Sequence, residues 1–552
     1  MKNNNHIIDN MMSYLYRIYP LPRRFNSPGM DESFQIIKSG YPDLHIYEYP
    51  SGMVCEDWVV PYSWEVKSGI LKDEEENILV SLDDNLLFVA AYSEPVEGWF
   101  NKEELFQHAL IHPTQKDVFM FQHRLGFNLE KPDWGISLPQ NIFDQLDSDQ
   151  KYHLNIQVEK KENTMKVAEW KIAGESKETI CIAAHIDEQL CNDDLTGTVV
   201  GLELMRYIQN LPNRKYSYQL LIFPETFGSF VHMYNHQEDF DNTLGQLNLE
   251  MVGAGEQLKI KHSFSGNTHF DNVLELSLKE NGVDYGELGF FEGYGNDERS
   301  FEWPTFGIPG VALQRHPFKY YHTSKDTPEC INPDYMIEAL QVTQSFVDIF
   351  EQDYIPVYTR VIPPKLSKHG LYFDSINDKE KFKKFNNDLL YMINGKMKIS
   401  EIAYKLELSF FEGYGNDERS FEWPTFGIPG VALQRHPFKY YHTSKDTPEC
   451  IKPDYMIEAL KVSQSFVDIF EQDYIPVYTQ IIPPKLSKHG LYFDSINDKE
   501  KFKKFNNDLL YMINGKMKIS EIAYELELNF FEVFDYLERF KQLDLIKNKE
   551  EA

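Results

Sequence analysis

The sequence predicts an α/β fold, in which a mixed, mainly parallel sheet carries helices on both faces. From about residue 166 onward, apolar runs of strand length alternate with amphipathic helical patterns, which is typical of strand–helix–strand units. Between residues 62 and 165, short alternating runs separated by turn residues predict a nested β-rich domain. Near the carboxyl end, a series of short helical patterns indicates a winged-helix-type module.

The composition indicates a folded protein that works in the cytoplasm. Its 552 residues are 42% hydrophobic, which is ample for a buried core, and the length suggests two to four domains. The net charge of -31 argues against a surface for nucleic acid or for an anionic membrane. The five cysteines lack paired spacing, which favours a reducing compartment. Because no signal-peptide pattern or run of 18 apolar residues occurs in the sequence, we expect no membrane segment.

The predicted elements of the α/β domain follow one another in a regular order. Two helices are expected near the amino terminus, at about 8–18 and 31–39, and a strand-like run follows them. Later strands are recognised as short apolar runs, and later helices by apolar residues at helical spacing. In chain order these are TICIAAH (strand), LTGTVVGLELMRYIQNL (helix), YSYQLLIFP, LGQLNLEMVG and QLKIKHSF (strands), HFDNVLELSLKENG (helix), GIPGVALQR (strand) and a helix at about 333–351.

A long internal repeat shapes the second half of the chain. Residues 290–409 recur at 410–529 with seven differing positions, which we interpret as a tandem duplication whose unit begins and ends inside structural elements. We expect the first copy to complete the sheet and the second copy to be a spare that packs poorly or lies apart. The expected domains are 1–61 with 166–352 for the α/β domain, 62–165 for the nested domain, 353–409 for a truncated winged-helix-type copy, 410–472 for a duplicated fragment and 473–552 for the complete module.

The terminal module has mixed charges rather than a basic patch. Lys501, Lys503 and Lys504 are accompanied by acidic residues such as Glu521 and Glu525. Since duplex binding needs concentrated positive charge, we expect a docking role or a contact between copies of the chain in a homo-oligomer rather than nucleic-acid binding.

Polar side chains that suit a metal ion follow several predicted strands. His185 ends the first strand of the alternating region and Asp193 lies in the next loop. Glu225, Glu250 and His322 lie at or after the ends of later strands. Because carboxyl ends of parallel strands meet at one edge of a sheet, these groups can converge. Two imidazoles with carboxylates form a donor set for one or two Zn²⁺ ions.

Other roles for these polar groups are also consistent with the sequence. Asp187, two residues past His185, could hydrogen-bond that imidazole and fix its tautomer. A remaining glutamate could take a proton from water. Purely structural roles stay open as well: a helix N-cap for Asp193 or Asp194, an acceptor of loop amides for Glu225, and an ordinary strand-end charge for Glu250.

Taken in order, these segments resemble the motifs of the zinc aminopeptidase clan. They are His185-Ile-Asp187, NDDLTG at 192–197, PETFGS at 224–229, NLEMVG around Glu250 and YHTSKDT around His322. The chain looks most like an uncharacterised bacterial aminopeptidase-like family with a nested β-rich domain and a C-terminal winged helix, and Gly295–Arg299 matches a late motif of that family. The resemblance covers about residues 10–352 and the last module. It implies a zinc-exopeptidase-like fold and cleavage of peptide or related amide bonds.

The resemblance also implies roles for individual residues. Glu225 takes the place of the clan's Glu-Glu pair, but its neighbours are Pro224 and Thr226, so one of the two glutamate roles is vacant. We therefore predict a single-zinc site with Glu225 as the general base. The implied metal ligands are His185, Asp193, Glu250 and His322, with Asp193 bridging if two ions bind.

Three questions are left open by the sequence. Asp297, Glu298 and Arg299 either bind a charged end of the substrate or form a buried ion network. His322 recurs as His442, so either copy could complete the site.

The predicted function is a zinc-dependent aminopeptidase-like hydrolase of peptide or amide substrates. The alternative is a catalytically altered metal-binding or scaffold protein in surface-polysaccharide biosynthesis, which the missing second glutamate favours.

Overall fold

The structure is a computed structural model in which the chain forms two compact units. It describes residues 2–122, 125–129, 131–295, 297–356, 389–393, 396–399, 401–402, 452–484, 486–493 and 501–549. The first unit contains Met1–Glu351 together with the short segment Gln480–Lys485, and the second contains Gln352–Thr479 and Leu486–Ala552. All the predicted site residues up to His322 lie in the first unit. Among the described residues, no helix combines the length and the apolar character needed to cross a membrane.

An eight-stranded sheet organises the first unit. Its central strand, Thr179–His185, pairs in parallel with Ser217–Phe223 on one side and with Thr243–Leu249 on the other. Antiparallel pairs occur toward both edges, so the sheet is mixed, as the sequence predicts. The strands lie in the order His45–Pro50, Thr164–Ile172, Ser217–Phe223, Thr179–His185, Thr243–Leu249, Gly310–His316, Gln257–Lys261 and Tyr285–Leu288.

The two faces of the central strand enter different cores. Ile180 and Ile182 belong to a core that also contains residues of the long helices. Cys181 and Ala183, which alternate with them, belong to a second core shared with the nested β-rich part and with the helix Phe227–Asn235. Burial of both faces explains why this strand is a continuous apolar run. The main helices of the first unit are Lys2–Ile18, Pro28–Gly40, Gly197–Gln209, Phe227–Asn235, His269–Glu280 and Pro333–Gln352.

Local sequence signals account for several helix starts. Ser27 accepts a hydrogen bond from the Met30 N–H, and Pro28 occupies the first helical position of Pro28–Gly40. Thr268 and Asp271 form a capping box at the start of His269–Glu280. These caps fix the ends of helices whose apolar faces cover the sheet.

The nested part contains a second, four-stranded antiparallel sheet. Its strands lie in the order Ile78–Ser81, Ser63–Lys72, Lys151–Lys161 and Val96–Asn101. The next strand along the chain, Thr164–Ile172, has the same alternating pattern but joins the eight-stranded sheet. Alternation shows that a segment is a strand, but it does not show which sheet the strand joins. Short helices and strands complete this part: Lys102–His108, Ala109–Leu110, Ile136–Ser137 and Gln140–Gln145.

The second unit contains a long helix and a small helical group. The helix Pro453–Gln472 is the second copy of Pro333–Gln352. An antiparallel pair, Pro476–Tyr478 with Ile546–Asn548, accompanies the short helices. Most of the predicted fragment 410–472, including His442, lies outside the described residues. The remaining described helical segments are Leu389–Met392, Leu486–His489, Phe502–Asp508, Leu509–Met512, Ile519–Glu525 and Phe530–Gln542.

Candidate metal centre

The carboxyl ends of three adjacent parallel strands bring the central residues of the site together. His185 is the last residue of its strand, Glu250 directly follows Thr243–Leu249, and Glu225 lies two residues beyond Ser217–Phe223. All three side chains are buried. Because these strands pair in parallel with one another, their carboxyl ends lie at the same edge of the sheet. In α/β proteins, ligands bind at this edge.

His185 is surrounded by carboxylates on both sides of its ring. Its Nε2 lies 3.6 Å from Asp193 Oδ1 and 3.9 Å from Asp194 Oδ2, and its Nδ1 lies 3.4 Å from Glu250 Oε2 and 3.3 Å from Asp297 Oδ2. Within the described part of the chain, neither nitrogen has a hydrogen-bond partner, although the side chain is only 3% exposed. Buried polar atoms without a hydrogen bond are rare and point to a bound group.

His322 approaches the same cluster from the loop that follows Gly310–His316. Its Nε2 lies 3.3 Å from Asp193 Oδ2 and 3.5 Å from Glu188 Oε1. Its ring stacks on Tyr321 at 3.9 Å, and its carbonyl oxygen accepts the N–H of Phe121 at 2.9 Å. Asp193 therefore directs one carboxylate oxygen toward each of the two histidines.

The backbone of Asp193 is held by polar contacts of its own. Asp326 accepts the N–H groups of Asn192 and Asp193 at 2.7 and 3.0 Å. The Asn192 side chain accepts the N–H groups of Gly253 and Ala254 at 3.0 and 2.9 Å. At the start of the helix that follows, no described side chain makes a capping hydrogen bond, so the N-cap alternative does not account for Asp193.

Arg23 supports the loop between the central strand and its helix. It is fully buried and donates hydrogen bonds to the carbonyl oxygens of Ile186 and Leu190, each at 2.8 Å, and to that of Glu188. Its guanidinium lies 3.7 Å from Asp194 Oδ1. No sequence pattern indicates this role, because Arg23 lies far from the loop in the chain and belongs to no recognised motif.

Asp187 and Glu225 are linked through the backbone. Asp187 Oδ1 accepts the N–H of Glu225 at 2.6 Å. The predicted hydrogen bond from His185 to Asp187 is not formed, because the ring nitrogens face other carboxylates instead. Asp187 therefore positions the segment that carries Glu225, while Glu250 and Asp297 lie against the imidazole.

The late acidic motif lies inside the protein. Asp297 accepts hydrogen bonds from the Thr226 N–H at 2.9 Å and the Ser229 hydroxyl at 2.8 Å. Glu298 forms a buried ion pair with Lys261. Arg299 lies over the ring of Phe291 at 5.1 Å. The ion pair of Glu298 favours the ion-network alternative for that residue, and Asp297 is engaged by neutral hydrogen-bond donors.

The cluster brings many buried acidic side chains together. Burial lowers the pKa of His185, but Glu250 and the neighbouring aspartates outweigh that effect and raise it well above its usual value. Contacts with both histidines overcome burial and hold the pKa of Asp193 below its usual range. Burial raises the pKa values of Asp187, Glu188 and Glu250, and a bound cation would stabilise their ionised forms. The buried carboxylates are Asp187, Glu188, Asp193, Asp194, Glu225, Glu250 and Asp297.

The donor atoms have the spacing that a zinc ion requires. Ligand atoms held at about 2.0–2.1 Å in a tetrahedral zinc site lie roughly 3.3–3.4 Å from one another. The contacts of Asp193 with His322 and His185, at 3.3 and 3.6 Å, are longer than ordinary hydrogen bonds and close to that spacing. Ligand atoms of His185, Glu188 and Asp193 also lie within 4.8 Å of one another. The residues present therefore fit a metal ion, and Glu188 is a candidate that the sequence motifs did not include.

Comparisons with known proteins agree with the fold. A Clostridium acetobutylicum protein named as a polysaccharide biosynthesis protein with an aminopeptidase-like domain is 27% identical over 420 residues, which is 74% of this chain and 94% of that protein. A solved structure named as a peptidase from the same organism is 24% identical, with a TM-score of 0.60, and the match covers 77% of this chain and 95% of that one. A zinc aminopeptidase from Bacillus subtilis is 16% identical, with a TM-score of 0.47, over 62% of this chain and 94% of that one.

The family comparison covers most of the same region. A family model described as a domain of unknown function, DUF4910, matches residues 12–353 and 366–473. The predicted mixed α/β fold and the resemblance to aminopeptidase-like proteins are confirmed. Because the matched residues make up more than half of the chain, this protein belongs to the DUF4910 family.

Proposed function

We propose that this protein is a zinc-dependent hydrolase of peptide or related amide bonds. The observation that carries the proposal is that the buried His185, Asp193 and Glu250 and the partly exposed His322 come together at the carboxyl edge of the sheet. Mixed imidazole and carboxylate donors at this spacing favour zinc over the hard cations, which prefer oxygen ligands alone. The name of the Clostridium relative, which mentions an aminopeptidase-like domain, supports the same class.

The proposed division of labour follows from the contacts. Asp193, His322 and Nε2 of His185 would hold the ion, whereas Glu250, the fourth implied ligand, lies against Nδ1 on the other side of the His185 ring. The ion would supply Lewis-acid chemistry at the scissile carbonyl. Glu225 is the proposed general base that takes a proton from water and returns it to the leaving amine. Its backbone is fixed by Asp187, so its carboxylate is held at the strand end rather than on a free loop.

The substitution Glu225→Gln tests the proposal. It keeps the size of the side chain but removes the basic oxygen, so kcat for an aminoacyl anilide reporter should fall by about 10²–10⁴-fold. Zinc content, measured by elemental analysis of the purified full chain, should stay unchanged. Wild-type protein that binds no zinc, or a variant that turns over the reporter as fast as wild type, would contradict the proposal.

A second candidate function is a metal-binding scaffold in surface-polysaccharide biosynthesis. The observation that favours it is that Glu225 stands alone between Pro224 and Thr226, where the aminopeptidase motif has a pair of glutamates. The name of the Clostridium relative also mentions polysaccharide biosynthesis. If the protein is such a scaffold, it should bind zinc fully and turn over no aminoacyl reporter. Cleavage of a reporter by wild type but not by Glu225→Gln would contradict this function.

A further inference from the structure

Glu188 lies inside the cluster although no motif assigns it a role. It is the third residue after the central strand and is only 2% exposed. Its Oε1 lies 3.5 Å from His322 Nε2, and it offers a ligand atom within 4.8 Å of those of His185 and Asp193. The inference below rests on the proposed zinc site and concerns which carboxylates build it.

The site lacks one carboxylate at the position where the sequence motif would place it. The resembled clan takes two adjacent glutamates from the strand end where this chain has Glu225 alone, between Pro224 and Thr226. Asp193 nevertheless presents a separate oxygen to each histidine, with Oδ1 toward His185 and Oδ2 toward His322. An ion bound between Asp193 and His322 would need a further ligand. Glu188 is a carboxylate that lies 3.5 Å from His322 Nε2.

We propose that Glu188 is a metal ligand that acts together with Asp193 Oδ2 and His322 Nε2. The spacings of 3.3 and 3.5 Å about His322 Nε2 match the separation of donor atoms around a tetrahedral zinc ion. In this arrangement Glu188, which follows the strand Thr179–His185, supplies the carboxylate that the neighbouring strand end at Glu225 lacks. Glu225 is then available as the base, so both roles of the clan's glutamate pair are filled from two different strands.

The backbone of Glu188 is fixed in a way that suits a ligand. Its N–H donates to Asp194 Oδ2 at 2.9 Å, and Arg23 donates to its carbonyl oxygen. Because both the N–H and the carbonyl group of Glu188 are hydrogen-bonded, its side chain is already oriented before the ion binds. Such preorganisation favours metal binding. Burial raises the pKa of Glu188, and bound zinc would offset this by stabilising the carboxylate form.

Zinc affinity of the full-length protein tests the assignment without relying on activity. Apoprotein would be titrated with zinc in competition with a chromophoric chelator, for wild type, Glu188→Gln and Glu188→Asp. We expect Glu188→Gln to lose at least about 100-fold in zinc affinity. Substitution of a residue that only hydrogen-bonds a metal ligand already lowers metal affinity by about 10–100-fold. Glu188→Asp, which keeps the charge on a shorter side chain, should lose less.

The matched control is Glu225→Gln, which places the same amide on a neighbouring buried glutamate and should bind zinc with wild-type affinity. Unchanged zinc affinity in Glu188→Gln would overturn the inference and leave the proposed function standing. Wild type without zinc would instead overturn the proposed function. Thermal melting of each apoprotein reports folding. If Glu188→Gln does not fold, Glu188→Asp decides: reduced affinity supports the assignment and wild-type affinity overturns it.

Discussion

Glu302 is a partly buried carboxyl group outside the metal centre whose ionisation should affect stability. Its Oε1 accepts the N–H groups of Phe264 at 2.8 Å and Gly310 at 3.0 Å. Burial raises the pKa of Glu302 to about 8, against an ordinary value of about 4.5. An acid whose folded pKa is raised contributes stability below the unfolded pKa, and that stability is lost as pH rises through the folded pKa.

The substitution Glu302→Gln should therefore stabilise the protein increasingly between pH 5 and pH 8. Glutamine keeps the accepting oxygen but cannot ionise, so the variant avoids a cost of about 2–4 kcal/mol at pH 8. Thermal midpoints of both proteins across this range would show the gap widening with pH. The exposed Glu103→Gln serves as the control for removal of a surface carboxylate. A constant gap for Glu302→Gln would contradict the prediction.

At the residue scale, the sequence identified the strand-end groups but not the contacts between them. His185, Asp193, Glu250 and His322 come together because regular elements carry them to one edge of the sheet. Glu188 directly follows a recognised motif, so a search for further acids beside His185-Ile-Asp187 would have found it. Contacts made by the loops depend on tertiary packing, which no local pattern encodes.

At the element scale, two nearly identical helices lie in different surroundings. Pro333–Gln352 buries Leu340 in the main core at 2% exposure. In Pro453–Gln472 the equivalent Leu460 is 57% exposed, and neighbouring apolar side chains are exposed with it. Among the described side chains, the same amphipathic pattern is therefore buried in the first helix and exposed in the second.

Paired substitutions at these equivalent positions should give opposite results. Leu340→Ala removes a buried side chain and should cost about 2–5 kcal/mol of unfolding free energy. Leu460→Ala removes an exposed side chain and should change stability by no more than about 0.5 kcal/mol. Thermal denaturation of the two variants under one buffer condition measures both effects. Equal losses would show that the second helix is also part of a core.

Element prediction succeeded where periodicity alone decides the outcome. The central strand and the helix after it follow from an apolar run and from helical spacing, and both appear in the structure. The assignment of Thr164–Ile172 to a sheet did not follow, because alternation is shared by the nested and the main sheets. Which sheet a strand joins is set by its partners, and those lie far away in the chain.

At the scale of the whole molecule, the two copies of the repeat contribute unequally to the unit that holds the metal centre. Every described residue of the metal centre lies before residue 352, in the first unit. One short segment of the second copy also belongs to that unit: Glu56 accepts the N–H groups of Ile481 and Ile482 at 2.9 and 2.8 Å. The first copy carries Val361 and Ile362 at the equivalent positions. Because these contacts come from the backbone, the first copy can supply the same hydrogen bonds.

Removal of residues 410–529 should therefore leave a folded protein with an intact metal centre. The deletion joins Ser409 to Phe530, and serine can replace Asn529, whose side chain accepts the Phe531 N–H at the start of Phe530–Gln542. Zinc content, reporter turnover and the first thermal transition should match those of wild type. Loss of zinc together with a lower melting temperature would show that the second copy is needed. A folded variant that binds zinc but does not turn over the reporter would show that the second copy acts in catalysis.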